Sequence, residues 1–570
     1  MSEQKNLVLA VALSLGVMFG YNYFFAAPTA KKEEAVQQTQ QTQTGAVPLK
    51  EETRLLTISK EEALQQSKRQ AFEAPSVKGT LNLETGMCDD LELKNYKLTP
   101  DLNSSKVVLF SPKDTKNAYL PEISYKISAS TVKPTLFTVI STESFEKGTK
   151  LTLKASLDQT VDLKREIIID ENYLFTITDT LENKGSQNVS ISSQALLRLR
   201  GTPQTGGNYI LHEGFVGIFN SKLEEYDYKK VQEKGIIQHQ TTGGWLGLTD
   251  KYWLGAFIPD QKTPINAFIK FDKVQDEDIY EAGYITPDQT IEASKTTTLT
   301  YHLFAGAKVL NLLDAYEAKL GFDRFDLAVD FGWFYFITKP LFFALSWLNG
   351  LLGNFGLAII ALTILVKGVL FPLANKSYRN MSRMKNLTPK IEAVKKRFEH
   401  DKMKLNQELM ELYKKEKVNP VSGCLPMLIQ FPVFFALYKV FFVTIEMRHA
   451  PFYGWIHDLS ATDPTNVFNL FGLIPFDPSQ YISFLHLGLW PLIMGATMVL
   501  QQKLSPQPGD PMQAKMFLIM PVMFTFLFAS FPAGLVIYWV VNNILSIAQQ
   551  WGIMRLEDAK SVPTPANKGK

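Results

Sequence analysis

The sequence predicts a polytopic α-helical membrane protein with six transmembrane helices and a large all-β domain outside the bilayer. Three observations carry that class. Residues 331–551 hold long apolar runs rich in Phe, Leu, Ile and Met, which suit spans. Residues 28–330 are polar and threaded with alternating strands. The loop 374–420 carries 13 Lys/Arg against 6 Asp/Glu, while the loop 446–485 has one basic residue, Arg448. Chain averages conceal this division: 46% of the 570 residues are hydrophobic, 20% are charged and mean hydropathy is −0.04. A net charge of +3 excludes a bulk nucleic-acid binder. Two cysteines, Cys88 and Cys424, exclude a disulfide framework or a zinc knuckle.

The first element, 1–27, is an N-terminal anchor, because residues 7–27 are uncharged and long enough to cross a bilayer. A cleaved signal peptide is the alternative. It fits less well, since Tyr21, Asn22, Tyr23, Phe24 and Phe25 sit badly before a small-residue cleavage site. Residues 28–57, rich in Gln, Thr and Glu, read as a flexible linker. From 58 to 318 the chain reads as a large antiparallel sandwich. Its typical runs are Lys106–Phe110, Thr135–Ile140, Lys150–Lys154, Arg165–Asp170, Tyr173–Thr178, Asn188–Ser192 and Thr296–His302. His212, His239 and His302 are isolated, with no metal or triad spacing, so each is expected to be solvated or packed in the core.

Residues 319–353 form an interfacial amphipathic region, with Phe322, Phe325, Val329, Trp333 and Phe336 near helical spacing. A five-span core, 354–551, follows, with apolar spans near 354–373, 425–445, 484–502, 516–531 and 534–551. The positive-inside rule places 374–420 in the cytoplasm and 446–485 outside. With 319–353 counted as interfacial, the N-terminus and the tail 552–570 are cytoplasmic and the β domain is external. Cys88 then lies outside and Cys424 at the inner edge.

The basic loop reads as a helical hairpin. Thr388 and Pro389 supply an N-cap and a first-turn proline. Ile391, Val394 and Phe398 form one stripe and Leu405, Leu409 and Leu412 its partner, with the turn at His400 and Asp401. Its Lys/Arg surface is either a solvated face or a surface for ribosomal RNA or anionic headgroups.

No Asp or Glu lies inside the last five spans, which weakens the case for a proton- or sodium-coupled transporter. They do hold one unpaired cation, Lys367. Snorkelling to the cytoplasmic edge is one reading. Helical side chains, however, lean toward the N-terminus, here the outer side, so Lys367 points away from the nearer water. The reading pursued is a hydrated groove shared with Thr363, Gln430, Gln502, Trp539, Asn542, Asn543 and Ser546. Lys439 reads as a snorkeller. Of 16 Met, 13 follow residue 380, and they suit either core filling or a soft groove wall.

Specific motifs follow: Glu416–Pro420, Gly423–Pro426, Leu428–Pro432, Ala450–Phe452, Trp455–Ser460, Asp463 and Pro464. Others are Met494–Met498, Gln502–Pro506, Asp510–Gln513, Met520–Thr525 and Phe531–Val536. In these residues, across about 331–551, the chain resembles the YidC/Oxa/Alb membrane insertase family in its Gram-negative form. The resemblance implies an inner-membrane insertase whose hydrophilic groove opens to cytoplasm and lipid. It implies a periplasmic β-supersandwich related to sugar-mutarotase folds. Its expected partners are nascent membrane proteins, the Sec translocon, the bilayer, and the ribosome through the basic hairpin and tail. The family's groove cation, usually Arg, matches Lys367; its groove threonine matches Thr363; its groove aromatic, often Tyr, matches Trp539. Lys keeps the charge but loses the planar fork. No enzyme chemistry and no cofactor is expected, and no GxxxxGK[ST] loop occurs. Two rival readings are a polytopic transporter and a membrane-anchored carbohydrate-active protein.

Overall fold

Alternation of side chains builds the β domain. In the strand Val161–Asp170, residues Val161, Leu163, Arg165, Ile167 and Ile169 are buried while those between them face outward. The computed structural model describes residues 57–128, 130–205, 211–332, 334–398, 400–416, 418, 425–474, 486–505 and 511–561. The expected anchor 1–27, nearly all of the linker, Trp333, Cys424 and the end of the tail lie outside them.

Among the described residues the strands form three antiparallel sheets, of four, nine and seven strands. The four-stranded sheet runs in chain order from Arg69–Glu73 to Lys106–Phe110. The nine-stranded sheet has Lys222–Tyr226 at one edge and Thr138–Phe145 at the other. In the seven-stranded sheet, Val189–Arg200 lies between Tyr119–Ile127 and Glu277–Ile285. Every strand run expected from the sequence overlaps an observed strand.

Two inward positions in this core are charged. Arg165 and Asp179 face each other across neighbouring strands, and both side chains are fully buried. Arg165 Nε and Nη2 donate to the two Asp179 oxygens at 2.7 and 2.8 Å, a bidentate geometry. Nη2 also donates to the Tyr125 hydroxyl of the seven-stranded sheet at 2.8 Å, and Tyr125 in turn donates to Asp179. Nη1 reaches the carbonyls of Thr85 and Gly86, each at 3.2 Å, in the turn of the four-stranded sheet. One guanidinium therefore ties all three sheets together. Gly86 has φ of +62°, and a Cβ there would lie 2.6 Å from the Phe137 ring, so this turn requires glycine.

The helices, in chain order, begin with α1 (Lys60–Gln65) and α2 (Tyr228–Lys234) in the β domain. Next come α3 (Leu310–Leu320), α4 (Tyr335–Leu352), α5 (Phe355–Val369) and α6 (Phe371–Arg397). The remainder are α7 (Lys402–Lys415), α8 (Leu425–Val443), α9 (Leu489–Leu504), α10 (Pro511–Ala529) and α11 (Ala533–Ser561). Asn354 caps α5, its side chain accepting from Leu357 N at 3.1 Å. Among the described residues no single helix is long and apolar enough to cross a membrane; α5 and α6 together are, but they are bent by 67°.

Two local expectations change. The amphipathic helix starts only at Tyr335. Phe322, Phe325 and Val329 are instead buried in the β-domain core, where Phe325 packs edge-on to Trp245 and Phe304. Their periodicity was real, but the surface they cover is protein. Thr388 and Pro389 start no new helix; Pro389 lies inside α6. The hairpin turn does fall at His400 and Asp401, and Asp401 caps α7 by accepting from Lys404 N at 3.0 Å.

Removing one partner of the buried ion pair strands the other. Asp179→Ala is expected to destabilise the β domain by about 3–5 kcal/mol, and Arg165→Met combined with Asp179→Ala to recover much of that. Denaturant unfolding of the full-length protein, followed by circular dichroism, measures both. Equal losses in the single and double variants would contradict a network held by charge.

Candidate substrate groove

Along α11, positions 539, 542, 543 and 546 recur at helical spacing and share one face. They carry Trp539, Asn542, Asn543 and Ser546, and the last three are almost fully buried. Ser546 meets the cation: Lys367 Nζ donates to its Oγ at 2.8 Å. Among the described residues no carboxylate pairs with Lys367. Thr363, one turn earlier on α5, is 1% exposed and donates its hydroxyl proton to Ile359 O at 2.7 Å.

The other expected residues join different helices. Gln430 of α8 donates to the Tyr538 hydroxyl at 2.5 Å. Asn543 donates to Thr497 of α9 at 3.1 Å. Gln502 donates to Phe517 O and ties α9 to α10. Trp539 packs edge-on to Phe434 at 4.7 Å, and its buried indole Nε1 has no hydrogen-bond partner among the described residues. Further toward the C-terminus of the same helix, Gln549 Oε1 and Gln550 Nε2 are likewise buried without partners among the described residues. The structure thus brings Lys367 directly to Ser546 and spreads the remaining polar groups along the helix contacts. Sequence reasoning missed Tyr538 and Thr497. A tyrosine beside the groove aromatic and a lone threonine in an apolar run were the available signals.

The β domain engages the C-terminal end of α8. Lys439 does not snorkel: its Nζ pairs with Asp330 at 2.8 Å, and Asp330 also accepts from His212 N at 3.0 Å. Arg448 Nη2 donates to Lys97 O at 2.7 Å and lies over the Trp253 ring. Lys251 Nζ stands 3.9 Å from the Phe442 ring centroid. On α4, Lys339 bridges Asp314 at 2.9 Å and Asp326 at 2.6 Å. Behind this junction Lys308 is 3% exposed and donates to Thr249 Oγ1 and Asp250 O at 2.8 and 2.6 Å. Burial pushes its ammonium down to about 8, against the pull of Asp250, Asp330, Glu213 and Glu225. The three histidines of the β domain do not converge on a site. His212 binds Phe215 O, His239 stacks on Phe219 and bonds the Tyr226 hydroxyl, and His302 packs against Phe322.

Two family models match: 60Kd inner membrane protein over residues 347–560, and YidC periplasmic domain over residues 69–344. A relative, the membrane protein insertase YidC of Granulibacter bethesdensis, is 45% identical over 97% of this chain and 98% of its own. That of Nitrobacter hamburgensis is 44% identical over 98% of this chain and 96% of its own. Among solved structures, the active YidC insertase with its first transmembrane domain resolved is 19% identical. Its TM-score is 0.35, with 85% of this chain and 92% of that one covered. YidC from Thermotoga maritima is 16% identical, with a TM-score of 0.29 and coverage of 85% and 97%. An apolar helical region with polar groups between its helices, joined to a large β domain, is the class of an inner-membrane protein with a periplasmic domain. Full-length identity narrows that class: the chain belongs to the YidC family of membrane protein insertases.

The junction lysine gives a pH signature. The unfolded Lys308 titrates near 10.5 and the native one near 8, so between these values the unfolded chain binds more protons. Native stability therefore rises with pH through that window, and the contribution is constant below it. Lys251, which burial also lowers to about 8, adds to the slope. Lys308→Met should flatten the difference in urea midpoint between pH 7.5 and pH 9.5, two conditions chosen about that window. An unchanged difference would contradict the assignment.

Proposed function

We infer that this chain is a membrane protein insertase whose working surface is the polar contact region around Lys367. The observation that carries the site is a lysine among apolar helices, bonded to a hydroxyl and matched by no described carboxylate. The mechanism is physical. Polar parts of an incoming chain are costly in hydrocarbon, because each unsatisfied backbone group there costs several kcal/mol. Lys367 offers charge-assisted hydrogen bonds at that depth, and the unpartnered Trp539 Nε1 offers another donor. Acidic segments are drawn in, and the client's apolar helix then partitions sideways into lipid, driven by its own hydrophobic free energy.

The same reading covers the arrangement in the membrane. The N-terminal anchor and five later spans cross the bilayer, both termini are cytoplasmic, and α4 lies in the outer interface. The basic hairpin of α6 and α7 receives the ribosome, and the Sec translocon is a partner for some clients. The positive-inside imbalance supports this orientation. The polar face of α11 supports the groove, with Thr363, Gln430, Gln502, Trp539, Asn542 and Asn543 as its lining.

Charge at residue 367 separates the foothold from snorkelling. A cation–carboxylate pair at 4 Å is worth about 1 kcal/mol in water and about 4 kcal/mol at an effective dielectric near 20. Lys367→Ala should therefore lower insertion of acidic-tailed clients by about tenfold while sparing nearly uncharged tails. Lys367→Arg should retain most function, and Lys367→Glu should be worst for acidic tails. Protease protection of a client series graded in tail charge, at matched protein levels, is the measurement. Equal insertion across the series by the Ala and Glu variants would leave Lys367 a lipid-facing anchor.

Orientation is tested with introduced cysteines. Native Cys88 is unsuitable, since it is 2% exposed and its Sγ points to Asp90 O at 3.3 Å. Leu102 and Met403 are 89% and 86% exposed. In a chain lacking both native cysteines, Leu102→Cys should react with an impermeant thiol reagent in outer-membrane-permeabilised cells. Met403→Cys should react only after the inner membrane is opened. The reverse pattern would invert the topology.

A further inference from the structure

We propose that Ser546 is the positioning residue of the groove: its hydroxyl holds the Lys367 ammonium where client carboxylates meet it, and so sets the selectivity for acidic tails. The proposal rests on the reading of Lys367 as an electrostatic foothold.

A lysine side chain is a flexible four-carbon stem ending in a point charge, without the planar fork that pre-orients arginine. Something outside the side chain must fix it. The ammonium has three donors and no acceptor. One donor goes to Ser546 Oγ at 2.8 Å. Ser546 spends its own proton on Asn542 O at 2.7 Å, so its oxygen faces Lys367 only as an acceptor. Ser546 is 2% exposed, which leaves little freedom for the hydroxyl to turn away.

Among the described residues Ser546 Oγ is the one acceptor within hydrogen-bond distance of Lys367 Nζ; Thr363 and Asn543, on the same side, make their hydrogen bonds to Ile359 O and Thr497. Ser546 is a neutral acceptor, so it orients the charge without cancelling it, and two ammonium donors stay available to a carboxylate. An aspartate in its place would fix the lysine equally well and extinguish its field. The serine joins α5 to α11, and α6 is held to α11 further along. Arg383 of α6 pairs with Glu557 of α11 at 3.2 Å, and Tyr378 and Met381 pack against Ile553.

The test uses full-length protein in proteoliposomes and reads the ratio of insertion for an acidic-tailed client over a neutral-tailed one. Ser546→Ala should lower this ratio by about tenfold, the size of one hydrogen bond to a charged group. Ser546→Thr, which keeps the hydroxyl, should hold the ratio within about twofold of the parent. In a Lys367→Ala background, adding Ser546→Ala should lower the ratio no further. If Ser546→Ala does not accumulate, Ser546→Cys, similar in size but a weak acceptor, takes its place with the same expectation. A parental ratio in Ser546→Ala beside a collapsed one in Lys367→Ala would overturn the positioning role and leave the foothold standing. A ratio in Ser546→Thr as low as in Ser546→Ala would make the serine a packing residue. A parental ratio in Lys367→Ala would overturn the foothold, and the proposal with it.

Discussion

A cation taken out of water needs an answer from the protein, and the answers differ along this chain in a way that divides structure from function. In the sandwich, Arg165 is met by a carboxylate, a phenol and two carbonyls, and nothing of it remains available. At the junction, Lys339 and Lys439 are met by aspartates from the end of the β domain. Between the apolar helices, Lys367 is met by a neutral hydroxyl. The first arrangement makes a core, the second a joint, and the third a site. Coulomb attraction in a low-dielectric setting bears on all three, and on the reading proposed above only the last keeps it for another molecule.

How far this was legible beforehand depends on whether a residue's partner is near it in sequence. Alternation in the strand is local, so the run Arg165–Asp170 could be read directly, although nothing singled out Arg165 within it. Its partner Asp179 could not be named without the strand register. Lys439 shows the same limit: its aspartate is 109 positions away, and without it a lysine near a span end reads as a snorkeller. Phe322, Phe325 and Val329 had a true helical period, but period does not say whether lipid or protein covers the face. Thr388 and Pro389 carried a genuine start signal, and helix continuity through α6 overrode it.

The proposed groove was suggested by rarity. A lysine in a run such as Leu357–Val366 followed by Gly368 has few explanations, and amides and hydroxyls on facing helices could be gathered around it. What pattern could not supply was pairing. Gln430, Gln502 and Asn543 were grouped with Lys367 by type, whereas each bonds a different neighbour, and among the described residues Ser546 alone hydrogen-bonds the cation. Such pairings depend on rotation of helices about their own axes, which a single sequence leaves unspecified.

The break between α5 and α6 gives the hairpin an arm that works as a step-down lever. With 27 residues, α6 extends about 40 Å from the bend, whereas Lys367 stands three residues before it, about 4–5 Å away. If the pair turns about Leu370 as a stiff crank of 67°, a swing of several ångströms at the hairpin tip reaches the ammonium as roughly a tenth of that. A displacement of the far end of the hairpin then disturbs the bonded serine by less than the play of one hydrogen bond. Large external movement and a steady charge are compatible in one chain because the fulcrum lies beside the charge.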